Sequence, residues 1–242
     1  MKQPHILCTP DDVAEVVLLP GDPERVLRVA AYLDDYREIA YNREFRTVTG
    51  NYKGMSVTVT STGIGGASAV IALEELIACG AKKFIRIGSA GAAQSNIAIG
   101  DLIIATGAVR EDGASAMYVD KQFPAAPSLA LAETLKKIAI QEGFRYHTGL
   151  VRSHDAFYMD EELDLMRYWS GKNILGSDME TAALFVVGAI RGVEVASVLN
   201  NVVLYEGDLK EGINDYVDEG QLAEEGERRE ILLALETFKA LL

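Results

Sequence analysis

The sequence predicts an α/β fold in one domain, residues 1–242, with a β-sheet carrying helices on its faces. Three observations carry this. Short β-rich runs alternate with runs of helical period along the chain. No composition shift, linker, internal repeat or low-complexity tract divides the 242 residues, a length that one apolar core can organise. Glycine-bearing turns follow predicted strands, where an α/β sheet gathers its ligands.

The elements follow in order. Val16–Leu19 reads as a short buried strand, followed by the turn Pro20-Gly21-Asp22 and a helix opening at Pro23, with Asp22 as N-cap and Pro23 at N1. Phe45–Gly50 and Met55–Ser61 form a hairpin around Asn51-Tyr52-Lys53-Gly54. Ala67–Cys79 has helical spacing and ends at Gly80, a residue suited to left-handed backbone. Strands follow at Lys83–Ile87, Leu102–Ala105, Leu150–Arg152 and within Val193–Val203; helices at Ser128–Glu142, Glu161–Trp169, Glu180–Arg191 and Glu224–Leu242. The acidic stretch Glu206–Glu230 reads as a solvated loop and helix face.

With 23 Lys+Arg against 36 Asp+Glu the formal net charge is −13. That balance argues against nucleic-acid partners, which need clustered cations. Small anions are still allowed, because a few arginines converging in one pocket suffice. Cys8 and Cys79 read as free thiols of an intracellular, cytoplasmic protein. No run reaches the roughly 18 apolar residues of a membrane span, and the N-terminal segment has no apolar core of a secretory signal.

The glycine turns are PGDPERV from Pro20, STGIGGAS from Ser61 and IRIGSAGA from Ile85. None matches GxxxxGK[ST] or a strand-following GxGxxG, so triphosphate and dinucleotide binding are poorly supported. Arg25 falls in the first turn of a helix and Arg86 at a strand end beside Gly88 and Ser89, so both can point at one anion. Taken singly, each turn also serves as a tight connection and each arginine as a surface ion-pair partner.

The segments LPGDPERV, YNREFRTVTG, STGIGGASAVIALEEL, FIRIGSAGA, VREDGAS, DAFY and SDMETAAL resemble, in order and spacing, the nucleoside phosphorylase family in its hexameric branch, nearest the uridine phosphorylases. The resemblance implies a single-domain fold with a central mixed, twisted sheet flanked by helices. It implies the reversible reaction of nucleoside and phosphate to free base and ribose 1-phosphate, with phosphate as co-substrate. It assigns Gly21, Arg25, Arg86 and Ser89 to the phosphate, with Arg43 supplied by a neighbouring subunit. His5, also from the neighbour, would reach the ribose 5′-hydroxyl; Met179 and Glu180 would hold the sugar, and Phe157 would lie against the base. A monovalent cation, K⁺, would sit at a dimer interface on Glu44, Ile64 and Ser68. Sites shared in this way imply a homo-oligomer, a dimer at least and a hexamer by resemblance.

The chemistry fits these residue types. Glycosidic cleavage builds positive charge on the ribose and negative charge on the base, so an arginine-held phosphate is both nucleophile and electrostatic stabiliser. Arg86 and Glu180 are therefore the expected catalytic pair. Taken alone, Glu180 also reads as a helix-start carboxylate, Met179 and Phe157 as core, and His147 and His154 as structural.

Base identity is less secured. The Gln and Arg that uridine phosphorylases carry after FY are replaced by Glu161 and Leu163, which leaves Glu161 as the base-facing candidate. The Asp of the purine branch falls on Val202 or Val203, leaving Asn200, Asn201, Tyr205, Glu206 and Asp208 nearby. Uridine is the expected substrate. A purine nucleoside phosphorylase with another proton donor, a nucleosidase using water, and a non-catalytic nucleoside-binding protein are the alternatives. The presence of Arg25, Arg43 and Arg86 together disfavours the water-using enzyme.

Overall fold

In a computed structural model, residues 1–207, 212, 214 and 220–242 are described. They form a mixed nine-stranded sheet with helices on both faces. The strands are β1 (Val16–Pro20), β2 (Asp34–Asn42), β3 (Phe45–Tyr52), β4 (Met55–Thr60), β5 (Lys83–Ala92), β6 (Leu102–Glu111), β7 (Tyr146–His154), β8 (Gly176–Asp178) and β9 (Glu194–Val203). The helices are α1 (Pro23–Ala30), α2 (Gly66–Ala78), α3 (Gly113–Tyr118), α4 (Leu129–Glu142), α5 (Glu162–Ser170), α6 (Thr181–Arg191) and α7 (Gln221–Ala240).

The order across the sheet is β2-β3-β4-β1-β5-β8-β7-β6-β9, and β9 also pairs with β5. That last pairing closes β5, β8, β7, β6 and β9 into a circuit. Parallel register along β1 and β5 sets Leu19 beside Arg86 and Pro20 beside Ile87. Parallel register along β5 and β9 sets Ser89 beside Asn200 and Gly91 beside Val203. The C-terminal ends of β1, β5 and β9 therefore meet, and a parallel sheet places its ligands at such ends.

Two apolar clusters flank the sheet. One packs α2 and α6 through Leu73, Leu76, Phe185 and Val186; the other packs α1, α4 and α7 through Val26, Leu135, Leu235 and Phe238. Local signals set the helix starts. Asp22 accepts hydrogen bonds from Glu24 N at 2.9 Å and Arg25 N at 3.2 Å, with Pro23 opening the helix. Ser128 caps α4, which ends on Gly143 in the left-handed region.

Three expectations are corrected. Strand β2 was not expected, because its residues are mostly exposed and lack alternation. Strands β5, β6 and β7 run longer than their apolar cores. The acidic stretch is not wholly solvated, since Glu227 and Glu230 of α7 are buried; Asp208 lies outside the described residues. No described helix is long and apolar enough to cross a membrane.

Candidate active site

A cavity of about 650 Å³ opens at the meeting strand ends, a volume suited to a small organic ligand. Gly21, Arg25, Arg86, Ser89, Met179, Glu180 and Phe157 all line it, as do Glu44, Ile64 and Ser68. Two glycines make the walls possible. Gly63 has φ +67°, and a Cβ there would stand 2.6 Å from the Glu44 side chain; a Cβ on Gly88 would stand 2.6 Å from the Arg86 guanidinium.

Arg86 is 3% exposed. Its Nε donates to Asp178 Oδ2 at 2.9 Å, and its Nη2 lies 2.6 Å from Glu180 Oε2. Burial works against its charge, but Glu180 and Asp178 outweigh that and hold its pKa above the usual value. Its Nη1 is buried without a hydrogen-bond partner among the described residues. A buried cationic N–H left open at a cavity is a ready anion donor.

Arg25 is held from the opposite side. Its Nε donates to Glu227 Oε2 at 2.8 Å, Nη1 to the Ile87 carbonyl at 3.1 Å and Nη2 to Ser89 Oγ at 3.1 Å. Glu230 Oε1 stands 3.1 Å from Nη1. Each pocket arginine is thus flanked by two carboxylates.

Glu180 is 5% exposed and begins α6. Its Oε1 accepts Gly65 N–H at 2.6 Å and its Oε2 accepts Met179 N–H at 3.3 Å. Burial pushes its pKa up, with Arg86 opposing. Asp178 is fastened by Ser153 Oγ at 2.5 Å and Thr181 Oγ1 at 2.6 Å, so the carboxylate that orients Arg86 is itself fixed.

His5 and Arg43 do not line this cavity. His5 is anchored by its backbone N–H and Nδ1 to Glu75, Nδ1 at 2.6 Å from Oε1. Its carbonyl accepts Asn42 Nδ2 at 2.7 Å. Asn42 precedes Arg43, which is exposed in the tight β2–β3 turn at φ +55°. Left-handed backbone at an arginine costs free energy that glycine or asparagine would avoid.

Ser68 Oγ lies 2.7 Å from Glu44 Oε1 and 2.6 Å from the Thr62 carbonyl. The Ser68 hydroxyl lowers the Glu44 pKa, so this carboxylate is ionised at neutral pH.

The base end needs two corrections. Glu161 is exposed and outside the cavity; Glu162, one residue on, lines it together with Met166. His154, expected to be structural, is also in the lining and 7% exposed. Val202 and Val203 line the cavity, but Asn200 and Asn201 are buried in β9, donating to the carbonyls of Ala223 and Ala98. Glu206 accepts from Arg167 at the surface, and Tyr205 is outside the lining. Sequence reasoning missed Asp178, Glu227 and Glu230, whose partners lie far along the chain.

Burial pushes the Glu230 carboxyl up to about 8, the Arg25 charge opposing it. Its folded pKa is above its unfolded one, so its contribution to stability is full below the ordinary carboxylate range and lost as pH rises through about 8. The difference in unfolding free energy between the wild type and Glu230→Gln should therefore drift against the wild type from about pH 5 to pH 8. Urea unfolding across that range reads it; a pH-independent difference would refute the assignment.

Residues 15–212 match the family model described as the phosphorylase superfamily. The chain is 45% identical over 208 residues to a uridine phosphorylase of Thermococcus kodakarensis, covering 81% of this chain and 75% of that one. It is 38% identical over 197 residues to a guanosine phosphorylase of Halorubrum lacusprofundi, covering 81% of each. A crystal structure of uridine phosphorylase from Vibrio fischeri superposes with a TM-score of 0.93 at 47% identity, covering 99% of this chain and 98% of that one.

Proposed function

The chain belongs to the phosphorylase superfamily, and from that premise we propose that it catalyses the reversible phosphorolysis of a nucleoside, uridine first, to free base and ribose 1-phosphate. The observation that carries this is the open Nη1 of Arg86 in a cavity that also holds Arg25 and Glu180. An anion site stands beside a buried carboxylate, which is what a phosphate nucleophile and a cationic sugar require together. A hydrolase needs no such anion site.

In this reading Arg86, Arg25, Ser89 and the Gly21 turn hold phosphate against one face of C1′. Glu180 and Met179 hold the ribose, and Phe157 lies on the base. The C1′–N bond breaks with its electron pair passing into the base, while a phosphate oxygen forms the new C1′–O bond. Glu180 stabilises the positive charge on the sugar, and the base takes a proton after departure. Reaction geometry held in advance lowers the barrier by avoiding reorganisation.

His5 and Arg43 complete the site from a second copy of the chain. Their placement outside this chain's cavity supports that role, and so does the strained turn that presents Arg43. Exposed Ile64, Ile71 and Met117 supply apolar surface for such an interface. The assembly is a dimer at least, with a hexamer as its full form, and it works in the cytoplasm. A catalytically active monomer in sedimentation at assay concentration would contradict the shared site.

Glu44, Ser68 and the Ile64 carbonyl offer hard oxygen donors with one carboxylate charge, a set that fits K⁺ better than a transition metal. These residues would hold the ion at the interface and so fix the turn that carries Arg43.

Base release from uridine and inosine, each with and without phosphate, tests the reading by ultraviolet absorbance. Phosphate-dependent release from uridine supports it. Release that ignores phosphate overturns it.

A further inference from the structure

The cavity's base end lacks the Gln and Arg of typical uridine phosphorylases and the Asp of the purine branch. The phosphate and ribose groups, Asp178 that orients Arg86, the Glu44–Ser68 pair and the helix cap Asp22 account for most of its polar lining. His154, Glu162 and Ser177 remain. Ser177 Oγ is turned toward the Met166 sulfur at 4.0 Å, so the first two are the groups available to a base.

Their surroundings give each a defined hydrogen-bonding role. Arg152 is 1% exposed, the largest fully buried side chain, and sits behind Glu162. Its Nη1 donates to Glu162 Oε1 at 2.8 Å while its Nε donates to Glu111 Oε2 at 2.5 Å. Glu162 is therefore fixed by one oxygen. Its other oxygen, Oε2, is buried without a hydrogen-bond partner among the described residues. A buried carboxylate oxygen left open calls for an N–H. His154 Nδ1 lies 3.0 Å from the Ala156 carbonyl. A carbonyl only accepts, so Nδ1 carries the hydrogen and Nε2 is the nitrogen left for a ligand. That nitrogen stands 3.9 Å from Glu162 Oε1.

We propose that Glu162, braced by Arg152 and flanked by His154, reads the base and selects one that presents a ring N–H, the lactam edge shared by uracil and the 6-oxopurines. Glu162 accepts the ring N–H. Cytosine and adenine present a bare ring nitrogen at that position. The contact to Glu162 is then mismatched, an acceptor meeting an acceptor.

This inference rests on the phosphorolysis reading, and the test separates the two. kcat/KM is measured for uridine, inosine, cytidine and adenosine with the wild type, Glu162→Gln and His154→Gln, with thermal unfolding as the control for folding. The wild type should favour uridine or inosine over cytidine and adenosine by at least about 10²-fold. Glu162→Gln should lose at least about tenfold on its best lactam substrate, with the phosphate KM unchanged and the preference over cytidine or adenosine narrowed, while His154→Gln should lose less. Comparison of uridine with inosine tells which lactam base is taken. A preference unchanged in Glu162→Gln overturns the inference, as does a wild type that cleaves cytidine as fast as uridine. If the wild type cleaves no nucleoside, the phosphorolysis reading fails. Calorimetric binding of uracil and hypoxanthine against cytosine and adenine, repeated with Glu162→Gln, then decides the base-reading claim: equal binding of both classes overturns it.

Discussion

Replacing Arg86 with alanine is expected to lower kcat/KM for phosphate-dependent nucleoside cleavage by about 10³-fold or more. Removal of one preorganised donor to a reacting anion costs about 10²–10³-fold, and here the donor is also the charge that offsets Asp178 and Glu180 at 2.9 Å and 2.6 Å. The alanine variant leaves two buried carboxylates without their cation, a loss of about 3–5 kcal/mol of stability. At this chain length about 1 kcal/mol shifts Tm by roughly 2–4 °C, so a clear fall in Tm is expected alongside. Arg86→Lys separates the two effects. It keeps a charge in the cleft but cannot address Asp178, Glu180 and a phosphate from one planar fork. Its Tm should lie nearer the wild type, while its phosphate KM rises and its kcat remains low. Wild-type turnover in a folded Arg86→Lys variant would remove Arg86 from the phosphate site.

Glu180→Gln is expected to act on the sugar. The amide keeps the length of the side chain and can still accept the Gly65 N–H that Oε1 receives at 2.6 Å. What disappears is a negative charge buried beside the ribose. If that charge stabilises the oxocarbenium-like state more than the bound nucleoside, as proposed, kcat should fall by about 10²-fold. The phosphate KM should hold or decrease, because Arg86 loses one of its two competing carboxylates. The two variants therefore part on phosphate KM, raised in Arg86→Lys and held or lowered in Glu180→Gln. A Glu180→Gln enzyme with unchanged kcat would reduce this residue to a structural acceptor for the α6 start.

Much of this was legible in the chain because local rules set it. Asp22 before Pro23, and Ser128 fifteen residues before Gly143, announce helix ends through capping and left-handed backbone. Arg25 and Arg86 stood next to glycine turns at strand ends, and the family resemblance suggested their roles. Other features depend on partners far apart in sequence. The contact between Arg25 and Glu227 spans 202 residues, and the charged period of α7 reads as surface until that contact is known. Arg152 looked like an ordinary strand residue, because burial of a guanidinium depends on Glu111 and Glu162 arriving from β6 and α5. The step from Glu161 to Glu162 is one residue, about a hundred degrees around a helix, and spacing from the FY pair does not set the rotation of α5. Strand β2 was hidden by its exposed, charged composition at the sheet edge.

The proposed anion site makes a statement about the nucleophile, and the product shows which nucleophile attacked. Phosphorus NMR of the protein incubated with uridine and inorganic phosphate follows that product directly. A ribose 1-phosphate resonance should grow in step with free uracil and shrink when uracil and ribose 1-phosphate are supplied instead. Uracil accumulating with free ribose, and with no phosphorus resonance but inorganic phosphate, would contradict phosphorolysis and make water the nucleophile.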